Sequence, residues 1–236
     1  MPEPAAGLVS VIVPVFNGAR YLGQALDSIL AQDYNSLELI VVDDGSTDDS
    51  PRIARACPPA RLISQSNQGC GAAKNTGLAA ASGEFLAFLD ADDIWLPGKL
   101  SLQVAALRRN PQAGLTTGRM RLFLEPGVER PAWVPPAFLD EPQIAYLPSG
   151  LLIRRATFDQ IGIFDPTFLN INDFEWLARA RDVGVLDIVT PEVVLLRRVH
   201  DANISHRADE RSRELLRIMR TTLARKGHAL AGAPSK

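Results

Sequence analysis

The chain has 236 residues, which suits one large domain or a domain with an appendage. Its hydrophobic content of 46% and charged content of 22% are ordinary for a globular protein. A formal net charge of −2 argues against a general nucleic-acid binder. Cys57 and Cys70 form no metal-type spacing and no CxxC, so a reduced cytoplasmic setting is the simplest fit. Met1 to Gly7 lacks the basic and apolar regions of a signal peptide. The longest apolar run, around Val11 to Phe16, is far too short to cross a bilayer. These features predict a soluble protein and leave peripheral membrane contact open.

Leu8 to Phe16 is rich in β-branched residues and reads as a buried parallel strand, broken by Asn17-Gly18. Leu22, Ala25, Leu26, Ile29 and Leu30 then follow helical spacing. Leu37 to Val42 is a second strand, ending in Asp43 and Asp44. Asp49 or Ser50 caps the next helix, with Pro51 near its start. Arg61 to Ser64 is a short third strand. After the Gln68 to Gly71 loop, Ala72 to Ala81 is a helix of small residues that can lie close to a sheet. Phe85 to Leu89 is a buried fourth strand that stops at Asp90, Asp92 and Asp93. Leu100, Val104 and Leu107 mark the helix that follows. This alternation predicts an α/β fold with a mostly parallel sheet flanked by helices. Carboxylates at two strand ends on one edge describe a nucleotide site. Closely packed acids repel, and a hard cation such as Mg²⁺ or Mn²⁺ would relieve them. The plainer reading of the triplet is a solvated acidic turn before a helix.

The second half is less regular. Ala113 to Phe123 reads as a strand pair, and the proline-rich Glu125 to Pro148 as an irregular connection over one face. A strand at Gly150 to Ile153, a short helix at Ala156 to Ile161 and a helix from Phe174 to Val183 follow. Val185 to Val189 and Val193 to Val199 read as two late strands, and His200 to His206 as a polar loop. On the terminal helix, Leu215, Ile218, Met219, Thr222 and Leu223 share one face, and Arg213, Arg217 and Arg220 the other. The arginine stripe reads first as a solvated face and second as a membrane contact.

Several stretches together resemble family 2 of the inverting glycosyltransferases, which share the GT-A fold. They are Val9 to Asn17, Glu38 to Asp48, Asn67-Gln68-Gly69, Ala73 to Gly77, Gly83-Glu84-Phe85 and Leu89 to Asp93. Gly150 to Arg154, Gly162 to Asp165, Asn172 to Arg179, and His200 with Asn203 and Ser205 continue the match. The resemblance divides the chain into a tail (1–7), a GT-A domain (8–206) and a C-terminal helix and tail (207–236). Within the domain, 8–110 is the nucleotide-sugar half and 111–206 the acceptor side.

The resemblance also implies roles. Pro14, Phe16, Asn17, Asp44, Lys74, Asp90 and Asp92 would line the nucleotide, with Phe16 stacking on a pyrimidine base and Asp44 accepting from it. Asp90, Asp92 and Asp93 would supply the DXD-type motif. Asp92, Asp93 and His200 would hold Mn²⁺ or Mg²⁺, and imidazole suits Mn²⁺ better. Lys74 stands where the family often has arginine, and brings a point charge in place of a bidentate fork. Asp173 would be the general base, its plainer reading being a helix cap; Asn172 stands where the family often has an acid. The function implied is inverting transfer from a nucleotide sugar, UDP-linked first, to a glycan, lipid-linked sugar, peptide or small-molecule acceptor. The rivals are a non-catalytic nucleotide-sugar-binding partner subunit and a sugar nucleotidyltransferase, which would want a glycine- and basic-rich loop near the first strand.

Overall fold

The computed structural model describes residues 4–201 and 208–231. The N-terminal part runs β1 (Ala5–Val15), α1 (Ala19–Leu30), β2 (Leu37–Asp43), α2 (Ser50–Arg55), β3 (Arg61–Ser64), α3 (Cys70–Ala80) and β4 (Gly83–Phe88). It continues through β5 (Ile94–Trp95), α4 (Lys99–Arg109), β6 (Ala113–Leu124), α5 (Ala137–Asp140) and β7 (Gln143–Ile144). A 3-10 turn at Pro148–Gly150 leads to β8 (Leu152–Arg154), α6 (Arg155–Ile161), α7 (Asn172–Asp182), β9 (Leu186–Val199) and α8 (Ala208–Ala231).

The strands form one sheet in the order β3-β2-β1-β4-β8-β6-β9-β5, with β7 paired to β6. β1, β2, β3 and β4 are mutually parallel, so their carboxyl ends share one edge. β8 runs antiparallel to both β4 and β6, and β9 runs parallel to β6. Residues 8–110 and 111–206 therefore interleave in a single sheet.

β1 is buried on both faces from Val9 to Val15, as a central parallel strand must be. On one face Val9, Val11 and Val13 pack with Leu22 and Leu26 of α1, Ala54 of α2, and Leu100 and Val104 of α4. On the other, Ile12 packs with Ala73 and Leu78 of α3, Phe158 of α6 and Trp176 of α7. Gly77 is what lets α3 lie so close: a Cβ there would stand 2.4 Å from Ile12 Cγ2.

Four expectations change. β1 begins at Ala5, inside the expected tail, because Ala5 N–H donates to Ser82 O and Gly7 N–H to the Glu84 carboxylate. Ala113 to Leu124 is a single strand, because its partner is distant β9 and not a local hairpin. The two late strands are one. Pro191 falls where the β6–β9 register shifts, a position that spares the missing N–H. On α8, Ile218 is buried and Thr222 half-buried, but Leu215, Met219 and Leu223 are exposed. Among the described residues, no helix is long and apolar enough to cross a membrane.

Candidate active site

The loops after β1 and β2 are stitched to each other. Asn17, in the left-handed region at φ 51, donates its N–H to Ser46 Oγ and accepts from Thr47 N–H at 2.8 Å. Gly18 N–H donates to Ser50 Oγ and Ala19 N–H to Asp48. Asn17 thus spends its side chain on the loop, and Pro14 is buried within β1. Phe16 is left 52% exposed at the strand end. Asp43 accepts Ser46 N–H, an Asx-type turn. Asp44 is buried and accepts from Gln65 Nε2 at 2.7 Å, Gln68 N–H at 2.9 Å and Gly69 N–H at 2.8 Å. It fixes the loop that opens α3.

The acidic triplet follows β4. Asp90 donates its N–H to Ser149 Oγ at 3.1 Å, and Trp95 Nε1 holds the Ser149 carbonyl. Asp92 is partly exposed, its Oδ2 2.9 Å from His200 Nε2. His200 is buried against Tyr21, ring centroids 4.8 Å apart. Asp93 faces inward and accepts Arg198 N–H at 3.2 Å. The Arg198 guanidinium bonds the Asp92 carbonyl, Gln24 and Glu125.

Burial raises the Asp90 carboxyl above the usual carboxylate range, and Asp92 and Asp173 raise it further, against Lys74 and Arg197. Asp93 is pushed well above that range by burial, Asp92 and Asp90. Burial disfavours the charge on Lys74, yet Cys70, Asp90 and Asp173 around it outweigh burial and hold it protonated. Its Nζ lies 3.5 Å from Asn172 Oδ1. The fold therefore brings Lys74, Asp90, Asp92, Asp173 and His200 into one cluster, although they lie at two strand ends and on two helices. Among the described residues, no three His, Cys, Asp or Glu side chains stand ready-grouped as a metal cage. Asn203 and Ser205 lie outside the described residues.

Asp173 sits in the first turn of α7 and accepts Phe174 N–H at 2.9 Å; the cap position is Ile171. The amides just upstream go elsewhere. Glu214 of α8 accepts from Leu169 N–H, Asn170 N–H, Asn170 Nδ2 and Ile171 N–H, all at 3.0–3.1 Å.

Residues 10–171 match the model of glycosyl transferase family 2. The chain belongs to this family. An uncharacterized glycosyltransferase of Rickettsia typhi is 32% identical over 218 residues, covering 85% of this chain and 67% of its own. The chain spans 35% of the length of a Nostoc relative that is 45% identical over 112 residues. The UDP complex of S. aureus TarS 1-349 superposes with a TM-score of 0.69 at 21% identity, covering 97% of this chain and 67% of that one. The mannosyltransferase PcManGT from Pyrobaculum calidifontis, in complex with GDP-Man and Mn²⁺, gives 0.70 at 24% identity, covering 92% and 64%. These likenesses fix the α/β GT-A fold.

For this family 2 chain, sequence reasoning passed over Arg197, Arg198, Ser149 and Glu214. The arginines carried a signal, since they immediately precede Val199 and His200. Glu214 carried none, because its partners lie more than forty residues away. Glu214→Ala should lower stability by roughly 1–3 kcal/mol, the cost of leaving the part-buried donors of Asn170 and Ile171 without their acceptor. Denaturant midpoints together with amide exchange at Leu169, Asn170 and Ile171 check this. Unchanged exchange there would remove Glu214 from the support of α7.

Proposed function

We propose that this chain transfers a sugar from a nucleoside-diphosphate sugar, UDP-linked first, to an acceptor hydroxyl with inversion and with a divalent cation. The observation that carries the proposal is the shared field of Asp173, Asp90 and Lys74 beside the Asp92–His200 pair.

The donor set fits Mn²⁺ or Mg²⁺. Partly exposed Asp92 would offer oxygen ligands and buried His200 a nitrogen behind it, with Asp93 adding charge from beneath. Burial first and the neighbouring carboxylates second raise Asp90 and Asp93, and a cation would relieve the second of these. When bound, the ion supplies Lewis-acid neutralisation of the diphosphate leaving group.

The chain's own residues do the rest. Phe16 offers an open ring to the base. Asp44 has three protein donors already, which leaves about one lone pair of a carboxylate's four for a pyrimidine N–H. Pro14 and Asn17 shape the pocket through backbone and loop. Asp90 receives the ribose, and Lys74 keeps a positive charge beside it. Asp173 takes the proton from the acceptor hydroxyl as it attacks. Attack opposite the leaving group inverts the anomeric carbon, by the logic of opposed carboxylates in inverting glycosidases.

Thermal shift with UDP, dTDP and GDP, each with and without Mn²⁺, tests donor and metal together. UDP with Mn²⁺ should raise the melting temperature most, with dTDP close behind and the shift lost in EDTA. A larger shift with GDP would overturn the base assignment, and an EDTA-insensitive shift with full activity the metal assignment. Release of a nucleoside diphosphate from the donor, in place of pyrophosphate, distinguishes transfer from nucleotidyl chemistry.

A further inference from the structure

Helix α8 is held inward by Ile218 and by polar contacts, and turns a second apolar sector outward. Leu215, Leu216, Met219 and Leu223 are between 49% and 68% exposed. Helical geometry places these four within a sector of ~100°. Inward, Ile218 packs with Phe168 and Ile171, Glu214 takes the amides before α7, and Arg225 Nε donates to Asp182 at 2.8 Å.

Among the described residues of α8, the exposed charge beside the apolar sector is of one sign. Arg213 and Arg220 are exposed beside it. Between Ser212 and Arg225 the acidic residue is Glu214, and its carboxylate is spent inward. Among the described residues, an apolar helix face with Arg213 and Arg220 exposed at its border and Glu214 turned inward matches a bilayer surface carrying anionic lipid. A second copy docking antiparallel through the same face would set the Arg213–Arg220 flank of one copy beside that of the other, a like-charge contact.

We propose that α8 docks this protein on an anionic lipid bilayer. Leu215, Leu216, Met219 and Leu223 enter the headgroup–acyl boundary, and Arg213 and Arg220 meet lipid phosphates. The same helix grips, through Glu214, the segment that leads into Asp173. The docking face therefore adjoins the side from which the candidate base is supported. The proposal stands independently of the transfer reading, because its test needs no turnover.

Flotation of the full chain with vesicles provides that test. The wild type should float with vesicles of phosphatidylcholine and phosphatidylglycerol, and at least tenfold less with phosphatidylcholine alone or at about 0.5 M salt, where charges are screened within a few ångströms. The double variants Leu216→Glu with Met219→Glu, and Arg213→Glu with Arg220→Glu, should each cut the bound fraction at least tenfold. All four sites are exposed, so melting temperatures should hold. A wild type that stays unbound, or variants that float like the wild type, would overturn the proposal. So would light scattering that shows a dimer split by Leu216→Glu with Met219→Glu, which would assign the face to a second copy.

Discussion

Asp173→Asn should lower turnover by about 10²–10⁴, the usual worth of a positioned general base. Melting temperature and nucleotide affinity should barely move. The asparagine keeps an oxygen to accept Phe174 N–H, as this carboxylate does. The start of α7 does not hang on residue 173, because Glu214 holds Leu169, Asn170 and Ile171 from α8. Loss of activity in a folded, donor-binding variant is then a loss of chemistry. Turnover near that of the wild type would remove Asp173 from the mechanism. Glu175, the next carboxylate on the helix, makes a poor substitute. It is buried and bonded at 2.9 and 3.0 Å to Arg179, whose guanidinium also holds the carbonyls of Ile161 and Ile163.

Lys99→Met should abolish a rise in stability that the wild type shows between about pH 7 and pH 10. Lys99 is fully buried at the start of α4, its Nζ 2.6 Å from Gln103 Oε1, 3.3 Å from the Leu151 carbonyl and 4.3 Å from the centre of the Trp95 ring. Burial pushes its ammonium down to about 7 from the ordinary 10.5. Between these values the unfolded chain binds a proton that the folded chain does not, so stability climbs with pH across that window. Below about pH 7 both states are protonated, and the full cost of the buried charge remains. The climb should amount to roughly 3–4 kcal/mol. Methionine is unbranched, fills a similar stem and carries no charge. The variant should therefore be more stable than the wild type near pH 6, with the advantage shrinking as pH rises. Urea unfolding of both proteins from pH 6 to 9 measures this, and the difference cancels the alkaline titration of Cys57 and Cys70. Parallel curves would mean that Lys99 stays charged in the folded protein throughout. The result bears on the site as well. Lys99 and Gln103 hold the carbonyls of Leu151 and Gly150, beside the Ser149 hydroxyl that receives Asp90 N–H.

The sequence made the donor side legible because its signals are local. Unbroken β-branched strands, helical spacing in α1 and acids at strand ends each report on a few adjacent residues, and β1 to β4 follow them closely. The small residues of α3 announced the close approach that Gly77 makes to Ile12. What stayed hidden depends on partners far along the chain. β6 looks like half a hairpin until β9 is beside it, and Pro191 looks like a strand end until the register shift takes it up. Asp92 and His200 were assigned together by resemblance, and the fold does place them 2.9 Å apart. The inward turn of Asp93 depends on the Arg198 backbone, which no pattern around Asp93 reveals. The periodicity of α8 grouped Ile218 and Thr222 with Leu215, Met219 and Leu223, but the fold turns the first two inward and leaves the other three exposed, since Glu214 and Arg225 set the helix's roll by what they reach.

The interleaved sheet sets an order on how this protein can be made. When the ribosome has finished β4, the core strands β1, β2 and β3 can already assemble, but the far edge of β4 has no neighbour until β8 emerges and Arg154 reaches Phe85. Ile94 and Trp95 wait longer still, for Leu195 and Leu196. Throughout that interval the nascent chain presents Phe85, Leu86 and Phe88 on an unpaired strand, the kind of surface that chaperones bind and that crowded chains share by mistake. Slowed elongation after β4 should thus be felt as lost yield, long before any defect in the finished protein.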